Sequence, residues 1–367
     1  MANKLISQIG LPKSIANIFA ARSILTAKDA LSLTEFELMA LLDIDLDQVK
    51  SAVSHISAII CPPPQTALSL MEERMQNEFS SGHFPTLLKG LDDALCGGIP
   101  FGSLTELVGP AGIGKTQFCL KLSCLAALPA CFGGLDGRVV YIDTESKFSS
   151  QRMIEIGINS FPQILQANGV LKEMAGRIEV MRPSSLSEFM ESLQKIRLPL
   201  IRHEIKLLIV DSIAALFSGE NNKGIRGRQQ HSLGWPLSYL KSVAELSRTP
   251  IIVTNQVRGQ SHNESIQYPF QGPRTDPIKN SEVLESHLVP ALGIQWAHSV
   301  TIRLIFEGHS DHQRFLKVAK SPLSPPVVFP FTVDSSGIRL LSDDGVVVMG
   351  PDINLIRSHG LVNVTSQ

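Results

Sequence analysis

The 367-residue sequence has no surplus of charge, no paired cysteines and no long apolar run. With 33 Lys and Arg against 34 Asp and Glu, the net charge is −1. Such a chain does not coat nucleic acid by bulk electrostatics, so any DNA contact must come from local basic patches. The five cysteines, Cys61, Cys96, Cys119, Cys124 and Cys131, are odd in number and show no C-x-x-C spacing. That pattern speaks against a disulfide framework or a zinc site, and it fits reduced thiols in an intracellular protein. No stretch of about 18 apolar residues is present, and the opening MANKLISQIGLPKSIANIF lacks the uninterrupted apolar segment of a signal peptide. Internal repeats and low-complexity tracts are missing as well.

What remains is the composition of a protein with a sizeable core, 43% hydrophobic and 18% charged, long enough for a large domain and a small one. In residues 1–60 apolar positions recur three and four apart. Leu33, Phe36, Met39 and Leu42, then Val49, Val53 and Ile56, predict a small all-α bundle. The prolines of CPPPQT end it, and residues 61–85 read as a linker. From residue 86 to 345 strand and helix patterns alternate, and 346–367 form a tail without a usable motif. Strands are predicted at 103–108, 138–143, 177–181, 205–211, 250–255, 299–306 and 315–320. Runs such as LLIV and IIVT suit strands buried on both faces, so the predicted fold is α/β with a mostly parallel central sheet. The last strands are spaced closely enough for hairpins.

Four features follow apolar strands. The first is GPAGIGKTQ, which fits G-x-x-x-x-G-K-[ST] between a strand and a helix. Gly109, Pro110, Ala111, Gly112, Ile113, Gly114, Lys115, Thr116 and Gln117 would wrap the phosphates of a nucleotide. Backbone N–H groups, Lys115 and the helix N-terminus would face the anion, with the Thr116 hydroxyl toward Mg²⁺. The second is LLIVD, where Asp211 could serve the metal or simply cap the next helix. The third is YIDTES, where Glu145 is a better candidate than Asp143 to position water; a plain acidic turn is the alternative. The fourth is IIVTNQ, where the amides of Asn255 and Gln256 could feel a γ-phosphate. In a parallel sheet all four converge on one carboxyl edge, the place where α/β folds bind ligands.

Two polar connections follow. SGENNKGIRGRQQHS holds Lys223, Arg226 and Arg228, and the much longer VRGQSHNESIQYPFQGPRTDPIKNSEV holds Arg258, Arg274 and Lys279. Basic loops beside a phosphate sensor could touch a DNA backbone, weakly and in a salt-sensitive manner, or could be ordinary solvated loops.

In order and spacing, GSLTELVGPAGIGKTQFCLKLS, GRVVYIDTESKFSSQRM, KLLIVDSIAALF and PIIVTNQV resemble the ATPase core of the RecA-type recombinase family of eukaryotes and archaea. VVYIDTES, ALGIQWAHSV and AKSPLSP look most like its B-type paralogue branch of DNA-repair accessory subunits. The resemblance implies a RecA-like P-loop core behind a helical N-terminal domain, ATP and Mg²⁺ as ligands, and homologous recombination in the nucleus as the setting. It implies phosphate and metal roles for Lys115, Thr116 and Asp211. Glu145 would activate water, Gln256 would sense nucleotide, and Arg152 would lie against the adenine. The family's DNA-binding loops fall at about 218–234 and 257–294.

Departures from the family point to a member of a mixed complex. Filament formers carry a linker phenylalanine where this chain has Pro64 or Gln65, retaining only Thr66 and Ala67, and such an anchor is a typical hot spot. Lys320 stands where an acidic residue caps the neighbour's nucleotide. The hairpin turn of the N-terminal domain reads LLDIDLDQV, with Asp43, Asp45 and Asp47 in place of glycines, a charge that repels DNA and suits packing or protein contact. Pro236 is expected in the first turn of its helix. The expected function is therefore an ATP-binding, DNA-stimulated ATPase subunit, weak alone, partnered by other paralogues, the C-type foremost, on single-stranded or branched DNA. A self-polymerising recombinase, a small-molecule kinase and an ATP-stabilised scaffold stay open as alternatives.

Overall fold

The computed structural model describes residues 5–61, 66–76, 82–165, 169–218, 229–259, 288–308, 313–348, 351–354 and 356. Its chain divides into two compact units, Met1–Phe79 and Ser80–Gln367.

The first unit is built on helices α1 (Lys13–Ala21), α2 (Ala27–Leu31), α3 (Glu35–Leu42) and α4 (Leu46–Ile60), with α5 (Ala67–Gln76) after them. Local chemistry sets the boundaries. Thr26 with Asp29 and Thr34 with Glu37 form reciprocal capping boxes at the starts of α2 and α3. Asp45 caps α4 by accepting from the Gln48 N–H at 2.7 Å. Leu38, Leu42, Val49, Ala52 and Ile56 close over Phe19. Phe36, expected on the apolar face, points to solvent with 68% exposure. The buried stripe of α3 runs instead through Leu38 and Leu42, one helical turn apart. Within 61–85 the structure places α5 and the first strand of the second unit.

The strands of the second unit are β1 (His83–Phe84), β2 (Ile99–Pro100), β3 (Leu104–Val108), β4 (Arg138–Asp143), β5 (Ile178–Met181), β6 (Ile205–Asp211), β7 (Ile251–Asn255), β8 (Val257–Gly259), β9 (Leu288–Pro290), β10 (Ile302–Gly308), β11 (Arg314–Lys320), β12 (Val327–Asp334), β13 (Gly337–Leu340) and β14 (Val346–Val347). The central sheet runs β13-β12-β11-β10-β3-β7-β6-β4-β5. Pairing is parallel from β10 through β5 and antiparallel from β10 outward to β13.

The helices of this unit are α6 (Lys89–Ala94), α7 (Lys115–Ala127), α8 (Ser150–Ser160), α9 (Pro162–Leu165), α10 (Val170–Gly176), α11 (Leu186–Ile201), α12 (Ile213–Ser218), α13 (Gln229–Ser247) and α14 (Gly293–Ser299). Side chains alternate across the sheet. Val139, Tyr141, Leu207 and Ile209 join α7 and α8 residues on one face, whereas Val140, Ile142, Leu208 and Val210 join α11 and α13 residues on the other. Both faces are covered, which is why these strands read as unbroken apolar runs.

Two expectations are corrected. Pro236 lies within α13, seven residues beyond Gln229, not in the first turn. Burial of Leu237, Leu240 and Val243 on that helix outweighs the lost N–H bond. The first loop region is also shorter than expected, since residues 229–234 are already helical. Of the five cysteines, only Cys119 and Cys124 act as buried apolar groups, and the other three are exposed.

Candidate nucleotide site at the carboxyl edge of the sheet

The strand order β3-β7-β6-β4 puts the ends of four strands side by side. Val108 and Asn255 are register partners, as are Asp143 and Asp211. The sequence features after these strands therefore share one edge.

Residues 109–114 turn between β3 and α7. A β-carbon on Gly109 would lie 2.4 Å from the carbonyl oxygen of Phe306, so only glycine fits where the loop leaves the sheet. Gly114 has φ +129°, a conformation that L side chains rarely adopt. It leads straight into α7, whose first turn presents unpaired N–H groups toward the loop. The Lys115 ammonium donates to the carbonyls of Gly109 and Pro110 at 2.6 and 2.9 Å. Burial lowers its pKa to about 8, against the opposing pull of the Asp211 and Glu145 carboxylates.

Asp211 is buried at the end of β6 and is the hub of the site. Its Oδ2 accepts from the Thr116 hydroxyl at 2.8 Å and from the Tyr141 hydroxyl at 2.7 Å, and its Oδ1 accepts from the Thr254 hydroxyl at 2.6 Å. None of these bonds caps a helix; they join Asp211 to the P-loop threonine and to the two neighbouring strands. Tyr141 and Thr254 were not singled out from the sequence. The signal for Tyr141 was a phenol inside an apolar strand, which needs a partner when buried. Burial raises its pKa well above the ordinary value, keeping the phenol a donor.

Asp143 and Glu145 separate cleanly. Asp143 accepts from the N–H groups of Lys147 and Phe148, both at 3.0 Å, and so shapes the turn. Glu145 receives the Gln256 amide and pairs with Lys147 at 2.5 Å. Glu145 and Gln256 are thereby brought together. Asn255, expected beside Gln256 to feel phosphate, turns the other way. Its side chain is fully buried and donates to Glu106 at 2.7 Å. Successive strand residues face opposite sides of the sheet, so the two amides cannot both reach the edge.

Arg152, at the start of α8, donates to Gln117 at 2.7 Å and to the Asp334 carbonyl at 2.5 Å, and pairs with Glu155 at 2.7 Å. Those bonds fix the guanidinium beside the P-loop helix. Lys320 donates to the carbonyls of Ala297, His298 and Val300 at 2.9, 3.3 and 2.7 Å, around the C-terminus of α14. Arg258 lies exposed on β8, which pairs with β9, so the second basic connection is rooted on a two-stranded ribbon. Lys223, Arg226, Arg228, Arg274, Lys279, Pro64 and Gln65 lie outside the described residues.

The donor set suits Mg²⁺ held with a nucleotide. Thr116 and Asp211 offer two hard oxygen ligands, and among the described residues no group of three or more His, Cys, Asp or Glu could cage an ion. Mg²⁺ ordinarily takes one or two protein oxygens and completes its shell with phosphate and water.

A model described as Rad51 matches residues 83–341, and one described as an XRCC3/RpoA-like helix-hairpin-helix domain matches residues 6–60. The chain is 58% identical to "DNA repair protein RAD51 homolog 2" of Arabidopsis thaliana, covering 98% of this chain and 97% of that one. It is 34% identical to the protein of the same name in Homo sapiens, over 93% and 90% of the two chains. Similarity to "DNA repair protein RAD51 homolog 3" of Cricetulus griseus is 30%, over 75% and 72%.

Proposed function

The chain belongs to the Rad51 family, and from that premise we propose that it is an ATP-binding subunit for homologous-recombination repair of DNA double-strand breaks. It works in a heteromeric complex with other recombinase paralogues, a C-type paralogue foremost, on single-stranded or branched DNA. The observation that supports this best is the shared edge. Thr116 with Asp211 and Glu145 with Gln256 meet there as two bonded pairs, beside the ribbon that roots the second basic connection.

Each side chain has a definable task. Lys115 and the first turn of α7 bind and orient the phosphates of ATP. Thr116 and Asp211 would hold Mg²⁺, which when bound neutralises charge on the phosphate oxygens. Tyr141 and Thr254 keep Asp211 aimed at the Thr116 hydroxyl, because their own hydroxyls donate to its Oδ2 and Oδ1 from the neighbouring strands. Glu145 orients water and accepts its proton, and Gln256 reports which nucleotide is present. A mixed complex is preferred to a homopolymer because Lys320, at the end of β11, is occupied by the carbonyls around the end of α14 and offers no carboxylate to a neighbouring copy.

The test is a comparison of the Lys115→Ala and Glu145→Gln variants in the reconstituted complex. Fluorescent-nucleotide binding and phosphate release are measured with and without single-stranded DNA. Lys115→Ala should lose nucleotide binding. Glu145→Gln should retain it and lose turnover by roughly 10²-fold or more. A wild-type complex that binds neither nucleotide nor DNA defeats the proposal. If the Glu145 variant supports repair fully while the Lys115 variant does not, ATP serves to hold the fold and its hydrolysis is unused.

A further inference from the structure

One buried acidic residue is not used by the nucleotide chemistry. Glu106 lies in the middle of β3 and is completely excluded from solvent. An isolated carboxylate there would be strongly unfavourable, and three donors converge to prevent that. The Asn255 amide and the Trp296 indole N–H both donate to Oε1 at 2.7 Å, and the Arg303 Nε donates to Oε2 at 2.7 Å. The amide orientation of Asn255 follows from chemistry, since a carboxylate can only accept.

The positions of those donors give the cluster its meaning. Asn255 ends β7, immediately before Gln256 and the ribbon strand β8. Trp296 belongs to α14, the first helix after the returning ribbon strand β9. Arg303 is the register partner of Glu106 on the neighbouring strand β10. The Gln256 carbonyl also accepts from the Ala291 N–H at 2.9 Å, tying the two roots directly. A single carboxylate thus fastens both ends of the 257–292 connection to the strand that leads into the P-loop. Lys320 holds the C-terminal end of the same helix.

We propose that Glu106 is a positioning residue: through Asn255 and Trp296 it couples the stance of Gln256 at the nucleotide to the seating of α14 and the basic connection. The inference rests on the nucleotide-site reading above. Any displacement of Gln256 away from Glu145 toward a phosphate pulls on Asn255, and the pull reaches Trp296 through one shared oxygen. A core salt bridge with only a structural role would hold Trp296 in the same surroundings whichever nucleotide is bound.

The tryptophan count makes this measurable, because the chain has only two, Trp235 and Trp296. In the full-length Trp235→Phe variant, emission comes from Trp296 alone. It is recorded with Mg²⁺ and a non-hydrolysable ATP analogue, then with Mg²⁺ and ADP, while binding is followed separately by calorimetry. The emission maximum should differ between the two nucleotides, and adding Asn255→Ala should abolish the difference while both nucleotides still bind. Trp296→Phe in the reconstituted complex should lower DNA-stimulated turnover about tenfold with little change in KM for ATP, equivalent to ~1.4 kcal/mol. Identical emission with both nucleotides bound overturns the inference and leaves the site reading standing; failure of either nucleotide to bind overturns both. If Asn255→Ala does not fold, the ATP-versus-ADP comparison in the Trp235→Phe chain decides alone.

Discussion

At the scale of single residues, Lys115 links stability and ligand binding with opposite signs. Its folded pKa of about 8 lies below the ordinary 10.5 because burial disfavours the ammonium, and the carboxylates of Asp211 and Glu145 only partly restore it. Among the described residues, Cys119 and Lys147 act on it as well. Below about 8 the charge is present in both folded and unfolded chains, and its burial penalty is fully felt. Between about 8 and 10.5 the unfolded chain holds a proton that the folded chain has released, so this group's contribution to stability improves as pH rises. Nucleotide binding runs the other way, because the phosphates need the ammonium. Calorimetric titration of the Mg²⁺ complex of an ATP analogue should show affinity flat below about 8 and falling above it. The limiting slope is about tenfold per pH unit. Lys115→Arg, charged throughout this range, should remove the inflection; an inflection that persists in that variant would assign the titration to another group.

At the scale of elements, the hairpin between α3 and α4 shows what its three aspartates do. Asp45 caps α4, Asp47 lies in its first turn, and Asp43 ends α3 in the left-handed region at φ +55°. Glycine is the residue that adopts this conformation without a steric penalty. Asp43→Gly should therefore raise stability by about 0.5–1 kcal/mol, seen as a higher midpoint in thermal unfolding of the full chain. Asp45→Ala should lower it by about 1 kcal/mol through loss of the cap. If Asp43→Gly lowers the midpoint instead, the carboxylate has a partner that the turn geometry does not reveal. Other elements differed in how well the sequence announced them. The parallel strands stood out because burial on both faces makes them uniformly apolar. β12 and β13 did not, since VVFPFTVD contains Pro330, which argues against a strand. In the structure Pro330 is the register partner of Phe315 on β11, but its carbonyl accepts from the Leu341 N–H on the opposite side. Its missing N–H therefore faces the stretch between the residues that pair with β13 and those that pair with β14, and costs β11 no ladder bond.

At the scale of the whole molecule, the convergence of the P-loop, Glu145, Asp211 and Gln256 was legible because parallel topology alone sends strand ends to one edge. The partners that aim these groups were not. Tyr141, Thr254 and the Glu106 cluster depend on which residues face each other across strands distant in sequence, and periodicity carries no such information. Lys320 shows how the two kinds of knowledge combine. Its place in the resemblance suggested a lost carboxylate, and the structure adds that the lysine has a task of its own. Its ammonium spends its donors on three carbonyls at the C-terminal end of α14, where a cation interacts favourably with the helix dipole. Lys320→Asp would place a negative charge against those same oxygens. The variant should unfold at a lower temperature than wild type, by an amount that exceeds the ~0.3–1 kcal/mol of the lost cation because repulsion replaces it. Restoring an acid here should thus fail to restore self-assembly. Electron microscopy of the variant with ATP and single-stranded DNA should show no continuous filaments, whereas filaments formed by a stably folded Lys320→Asp chain would mean that this one side chain separates a complex subunit from a polymer.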